Sequence, residues 1–210
     1  MLNVYDISIT TYCQLFCAGC QRNDEDNNFL HRFEQRHMPV DTFSKIMDQV
    51  DTMNNNYLQL CGELGDPMMH PKVDAIIERA LKKQNMVRIN TNGALRNANW
   101  YAELAKNKSV EIHWGIDGLD HETNDKYRRG ANFAKAWDNM TTWFNNGGQG
   151  EWHFILFSWN LHQVPDVARL ARDVFKCKVT YKITPSNSGK DGIQPHLMEQ
   201  AKEMVKKYAV

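Results

Sequence analysis

Apolar residues recur along this chain with two alternating periods. Short runs rich in β-branched and aromatic residues lie at Val4 to Ile9, Tyr57 to Leu60, Met86 to Asn90, Val110 to Ile116, Trp152 to Ser158 and Lys178 to Ile183, and they predict six strands. Between them the spacing turns helical. The segments are Phe43, Ile46, Met47 and Val50; Val73, Ile76, Ile77, Ala80 and Leu81; Trp100, Leu104 and Ala105; Phe133, Ala136, Trp137, Met140 and Phe144; and Val164, Val167, Ala168, Ala171, Val174 and Phe175. Each carries one apolar stripe, as a helix laid on a sheet must. A last amphipathic stretch, Leu197, Ala201, Met204, Val205 and Tyr208, closes the sixth strand–helix unit.

Asp41, and Pro71, Pro165 and Pro195 near first-turn positions, mark helix starts, while Gly147-Gly148 stops the helix that begins near Phe133. Strict alternation predicts an α/β fold with a parallel sheet and right-handed crossovers. Six units are too few for a closed eight-stranded barrel. An open doubly wound sheet and a partial barrel remain, and both put ligands at the strand C-terminal ends. The unusual residues fall there: Cys13 to Cys20 after the first strand, Gly62 to Pro71 after the second, then Asn92-Gly93, Asp117-Gly118 and Asn160.

The 210 residues suit a single domain over 1–210. Lys plus Arg equals Asp plus Glu at 25 each, so charge gives no footprint for nucleic acid or anionic membrane. Apolar runs are short and Met1-Leu2-Asn3 lacks the basic and apolar regions of a signal peptide, so a soluble cytoplasmic protein is expected.

Five cysteines, three of them within eight residues, make a poor disulfide framework, and the cluster of three reads as a metal site. Cys13-Gln-Leu-Phe-Cys17-Ala-Gly-Cys20 spaces three thiolates so that one loop can wrap a cube-shaped iron–sulfur cluster, with Gly19 permitting the tight turn. Three protein ligands leave one iron open to a small molecule. The competing site is a structural zinc with His31 or His37 as fourth ligand, but such sites in small modules usually come as two separated pairs. Cys61 and Cys177 stand alone and read as small buried hydrophobes. The loop from Arg22 to Met38 has no period, which suits either a solvated loop or a lid on the substrate side.

The cysteine spacing resembles that of the radical S-adenosylmethionine (SAM) superfamily, and the strand–helix order is similar to its partial (β/α)6 TIM-like barrel over nearly the whole chain. The resemblance implies a 4Fe–4S cluster on Cys13, Cys17 and Cys20, with SAM chelated to the open iron. It further implies a one-electron reductant such as flavodoxin or ferredoxin, and reductive cleavage of SAM to methionine and a 5′-deoxyadenosyl radical. That radical would take hydrogen from an unidentified substrate, a peptide or a small metabolite. No catalytic residue beyond the cluster ligands is assigned.

Gly65, Asp66 and Pro67 resemble the family's Gly-Gly-Glu-Pro segment, which implies that Asp66 accepts from the SAM ammonium, with Glu63 as the competing carboxylate. Ile89-Asn-Thr-Asn-Gly93 is similar to its Thr-Asn-Gly strand end, and Asn90 and Asn92 share a face by period two. His113-Trp-Gly-Ile-Asp-Gly118 resembles its Ser-Ile-Asp-Gly element, which gives Asp117 the ribose hydroxyls and puts Gly115 in the serine's place. Tyr127-Arg-Arg-Gly130 resembles its Arg-Gly element, so Arg128 or Arg129 pairs the SAM carboxylate. Leu161 corresponds to an apolar contact with adenine, and Gly19 stands where the family usually has an aromatic residue. The C-terminal extension with further clusters found in related members is expected to be absent. Two other readings are a small glycyl-radical activating enzyme and a non-enzymatic zinc or iron–sulfur binding module.

Overall fold

The computed structural model describes residues 4–23, 34–50, 57–60, 64–83, 86–183 and 192–209. Its sheet has six parallel strands, β1 (Val4–Asp6), β2 (Tyr57–Leu60), β3 (Met86–Thr91), β4 (Val110–Gly115), β5 (Gln149–Leu156) and β6 (Lys178–Ile183), paired in sequential order. A doubly wound sheet reverses its strand order at a switch point. This one does not, so right-handed crossovers place the helices on one side and the sheet curls as a partial barrel.

The helices are α1 (Val40–Gln49), α2 (Val73–Leu81), α3 (Ala98–Leu104), α4 (His121–Asp125), α5 (Phe133–Asn145), α6 (Val164–Arg169) and α7 (Met198–Tyr208). Side-chain oxygens of Asn97, Asp120 and Asn132 accept from backbone N–H groups at the starts of α3, α4 and α5. Helix α1 begins one residue before the expected Asp41, with Pro39 at the cap, and Asp41 lies in the first turn where its charge favours the helix dipole. Helix α4 was not legible from periodicity, being one short turn set by the Asp120 cap. Beyond α6 the chain continues as a π-helix, Leu170–Phe175, which ends at Lys176 with a φ of 53°.

Two strand boundaries move. β1 stops at Asp6, and Thr10 beyond it forms an isolated bridge with His37. β5 starts at Gln149, because Gln149 to Glu151 continue the pairing with Glu111 to His113.

Period two gives the strands two unlike faces. Leu58, Leu60, Val87, Ile89, Ile112, Trp114, Trp152, Phe154 and Leu156 are buried in one core with the apolar stripes of the helices. The concave face instead carries Arg88, Asn90, Glu111, His113, Glu151, His153 and Lys182, in lateral register across β3 to β6. No helix among the described residues is long and apolar enough to cross a membrane.

Candidate active site

Cys13, Cys17 and Cys20 are free thiols lining one cavity, together with Gly65, Asp66, Asn90, Asn92 and Arg128. The loop that carries them is built into the barrel rim. Phe16 and Ala18 donate their N–H groups to the carbonyls of Arg129 and Tyr127, each at 3.0 Å. The buried Arg22 guanidinium donates to the Leu64 carbonyl at 3.2 Å and to the Cys13 carbonyl at 3.0 Å, clamping the loop to the segment after β2. Gly19 has a φ of 71°, so an aromatic residue there would be forced into the left-handed region. The departure from the family pattern therefore has a backbone reason.

Gly65 brings that second segment against the first. A Cβ on it would lie 2.7 Å from the Tyr12 carbonyl oxygen, and the Asp66 N–H donates to the same oxygen at 2.8 Å. Asp66 is only 4% exposed, and its carboxylate accepts from Met68 N–H at 2.9 Å, Thr91 hydroxyl at 2.9 Å, Asn92 N–H at 2.8 Å and Asn92 Nδ2 at 2.6 Å. Four donors fill the roughly four acceptor sites of a carboxylate. Burial pushes the Asp66 pKa up, against these hydrogen bonds. Asn92 in turn accepts from Gln14 Nε2 at 2.8 Å, joining the cysteine loop to the end of β3.

Asp117 and Arg128 form a second unit. Asp117 is 0% exposed, and it accepts from Arg128 Nε and from the Ile155 N–H, both at 2.6 Å. Arg128 thereby lines the cavity while Asp117 stands behind it, and Arg129 is not among the cavity residues. A Cβ on Gly115 would lie 2.7 Å from an Arg128 guanidinium nitrogen, so the missing serine makes room for that guanidinium. Leu161 is buried in the main core and does not line the cavity. Asn160 holds the strand ends together by donating to the carbonyls of Asp117 at 3.0 Å and Ile155 at 2.9 Å.

Burial, helped by the Asp66 charge, pushes the Cys13 thiol up to about 12, and burial likewise raises Cys17. Burial therefore favours protonated thiols, and iron loading must release protons. His37 is paired with Thr10 Oγ1 at 2.8 Å and stacked on Tyr12, and it does not line the cysteine cavity; His31 lies outside the described residues. Cys177 is a buried core thiol, whereas Cys61 and Glu63 lie outside the described residues.

Sequence patterns pointed to the rim but passed over the floor. His113, His153, Ile155 and Lys182 also line the cavity. Their signal was the polar alternation Glu111-x-His113 and Glu151-x-His153 within two strands buried on the other face. Burial first, then the neighbouring His153 and Arg88, pushes His113 down to about 3. Burial and Lys182 push His153 down to about 4.

A partial barrel with three thiols at its C-terminal rim defines an enzyme class built around an iron–sulfur cluster with an open iron. The profile of the radical SAM superfamily matches residues 7–171, and the chain belongs to that superfamily. It is similar to the mycofactocin maturase MftC of Mycolicibacterium smegmatis, 22% identical over 184 residues, covering 87% of this chain and 45% of that protein. It is also similar to the antilisterial bacteriocin subtilosin biosynthesis protein AlbA of Bacillus subtilis, 24% identical over 191 residues, covering 89% of this chain and 41% of AlbA. The crystal structure of Streptococcus suis SuiB bound to SAM superposes with a TM-score of 0.74 at 17% identity, over 99% of this chain and 47% of SuiB. This chain thus spans less than half the length of each of these three proteins. The superfamily's cofactors are a 4Fe–4S cluster and SAM, and the donor set fits both. Three thiols leave one iron open, and the cavity beside them holds the guanidinium of Arg128 and a buried Asn90 Oδ1 that has no hydrogen-bond partner.

Proposed function

We propose that this chain cleaves SAM reductively at a cluster held by Cys13, Cys17 and Cys20 and uses the product to abstract hydrogen from a peptide. The carrying observation is that three free thiols, an unpartnered amide oxygen and a fixed guanidinium share one cavity, whose floor is a polar barrel lumen. When bound, the cluster and SAM supply cleavage of the sulfur–C5′ bond by one electron from a flavodoxin- or ferredoxin-type reductant, giving methionine and a 5′-deoxyadenosyl radical.

The protein's share is binding, orientation and exclusion of water. Arg128, oriented by Asp117, receives the SAM carboxylate through its planar fork. Asn90 accepts from SAM through the oxygen now left unpartnered. Asp66 meets the SAM amine in exchange for a side-chain donor, Asn92 Nδ2 or the Thr91 hydroxyl, either of which rotation can release while the backbone donors stay. Support for a peptide substrate comes from the relatives: MftC is a maturase, AlbA acts in bacteriocin biosynthesis, and SuiB has been crystallised with the precursor peptide SuiA.

The test is anaerobic reconstitution with iron and sulfide, then quantification of 5′-deoxyadenosine after addition of SAM and dithionite. Parent protein is expected to form it, and Cys17→Ala to lose both cluster absorbance and product. Product formation by a Cys17→Ala chain would end this reading.

A further inference from the structure

One layer below the strand ends, β4 and β5 place His113, Glu151 and His153 side by side on the lumen face. His113 is the register partner of Glu151, and His153 is the partner of Gly115, which leaves His153 diagonal to His113. Their rings lie 4.5 Å apart, and the three candidate ligand atoms all fall within 4.8 Å of one another. His113 is 5% exposed, and its Nε2 is buried without any hydrogen-bond partner. Leaving a buried polar atom unpaired is destabilising, so this nitrogen calls for a ligand.

We propose that His113, Glu151 and His153 form a binding site for one divalent transition-metal ion of the zinc or ferrous type, separate from the cluster. Two imidazoles and one carboxylate are the donor set such ions take when coordination positions must stay open. Bonds of about 2.0–2.2 Å set tetrahedral donors about 3.4 Å apart, so the three side chains need to close by little more than about 1 Å. An outer shell is already in place. The Thr180 hydroxyl donates to Glu151 Oε2 at 2.6 Å and Lys178 donates to Oε1 at 3.3 Å, which fixes the carboxylate.

The nearby cations do not defeat the site. Arg88 is committed to Glu111 at 3.3 Å and to the Tyr57 hydroxyl at 2.9 Å. Lys182 lines the same cavity, and it selects an anionic oxygen donor for the open positions that face the SAM side. The metal would thus anchor an acidic group of the substrate beside the place where the radical forms, and only that last role rests on the function proposed above.

The experiment uses the full chain carrying Cys13→Ser, Cys17→Ser and Cys20→Ser, so that neither the cluster nor its three thiolate ligands compete, and titrates it anaerobically with Co2+. Visible d–d bands without a thiolate charge-transfer band, saturating at one ion per chain, are expected. His113→Gln and Glu151→Gln in that background should weaken binding by more than about 100-fold, and Thr180→Val, which keeps all three ligands, by about 10–100-fold. Folding of each variant is checked by circular dichroism, and Thr180→Val keeps the test decisive if a ligand variant unfolds. Absence of saturable binding, or equal Co2+ affinity in the parent background, His113→Gln and Thr180→Val, would overturn the site. Neither SAM nor cluster enters the readout, so its failure is distinguishable from failure of SAM cleavage.

Discussion

The two faces of the same six strands divide the labour of this protein. On the helix side Trp152 and Phe154 are fully buried, and Trp152 packs edge-on against Trp137 and Phe175 with ring centroids 5.7 and 5.9 Å away. Between Trp152 and its neighbours along β5, Glu151 and His153 point the other way, into a lumen of titratable groups. Neighbouring residues in sequence therefore belong to different energetic worlds. Burial of apolar area on one face stabilises the fold, while the other face gathers polar groups around a cavity, some paired with each other as Arg88 is with Glu111. The sharpest break in this contrast is Trp152→Ala. It removes a whole indole and its Nε1 hydrogen bond to the Ile116 carbonyl at 2.8 Å, so it should cost about 3–5 kcal/mol in denaturant-induced unfolding. A loss under about 1 kcal/mol would show that the helix face does not carry the stability assigned to it.

At the rim the two functions meet in one residue. Asp66 caps the turn at Pro67–Met69 through Met68 N–H and also fixes Thr91 and Asn92 at the end of β3. Asp66→Asn puts an NH2 group opposite donors, leaving buried groups unpaired at a cost of about 1–3 kcal/mol. The same change should raise the SAM dissociation constant by about one to two decades with iron content unchanged. Weaker SAM binding with unaltered unfolding would mean that Asp66 faces SAM and not the protein. Lower stability with unaltered SAM affinity would make it purely structural.

How much of this was legible in the sequence follows from where the signals are local. Period two gave all six strands, the cysteine spacing gave the loop, and together they placed the segments of Asp66 and Asn92 on one edge, whereas Arg128 or Arg129 came only from the family resemblance. Long-range geometry was not legible. The family resemblance implies a ribose acceptor at Asp117, and in the fold its carboxylate accepts from Arg128 and from Ile155 N–H, where it orients a guanidinium. Leu161 follows a strand end, yet the turn beginning there sends it into the core. His113 and His153 lie 40 positions apart in sequence, and only the parallel register of β4 with β5 makes them neighbours.

The mildest test asks whether the lumen stays unprotonated, as the contrast between the faces requires. His113 and His153 sit at about 3 and about 4 in the fold, against 6.5 for an unburied imidazole. Between about 6.5 and 4 the unfolded chain therefore binds protons that the folded chain does not. Stability must rise with pH across that window and fall on acidification, by up to about 1.4 kcal/mol per pH unit for each ring. Glu151 is held near 2, where the Thr180 hydrogen bond and the His113 and Lys178 interactions outweigh burial, so the same sign extends to lower pH once carboxylates titrate. Between pH 6 and pH 5 the carboxylates of the unfolded chain stay mostly ionised, and comparing the parent with a His113 variant cancels the opposite contribution of Asp66, whose carboxyl burial pushes up. His113→Gln should flatten the dependence of unfolding free energy on pH in that interval by up to about 1.4 kcal/mol per unit, measured by urea titration at each pH. An identical slope in the parent and His113→Gln would mean that His113 already carries its proton in the fold, and that the lumen floor is cationic.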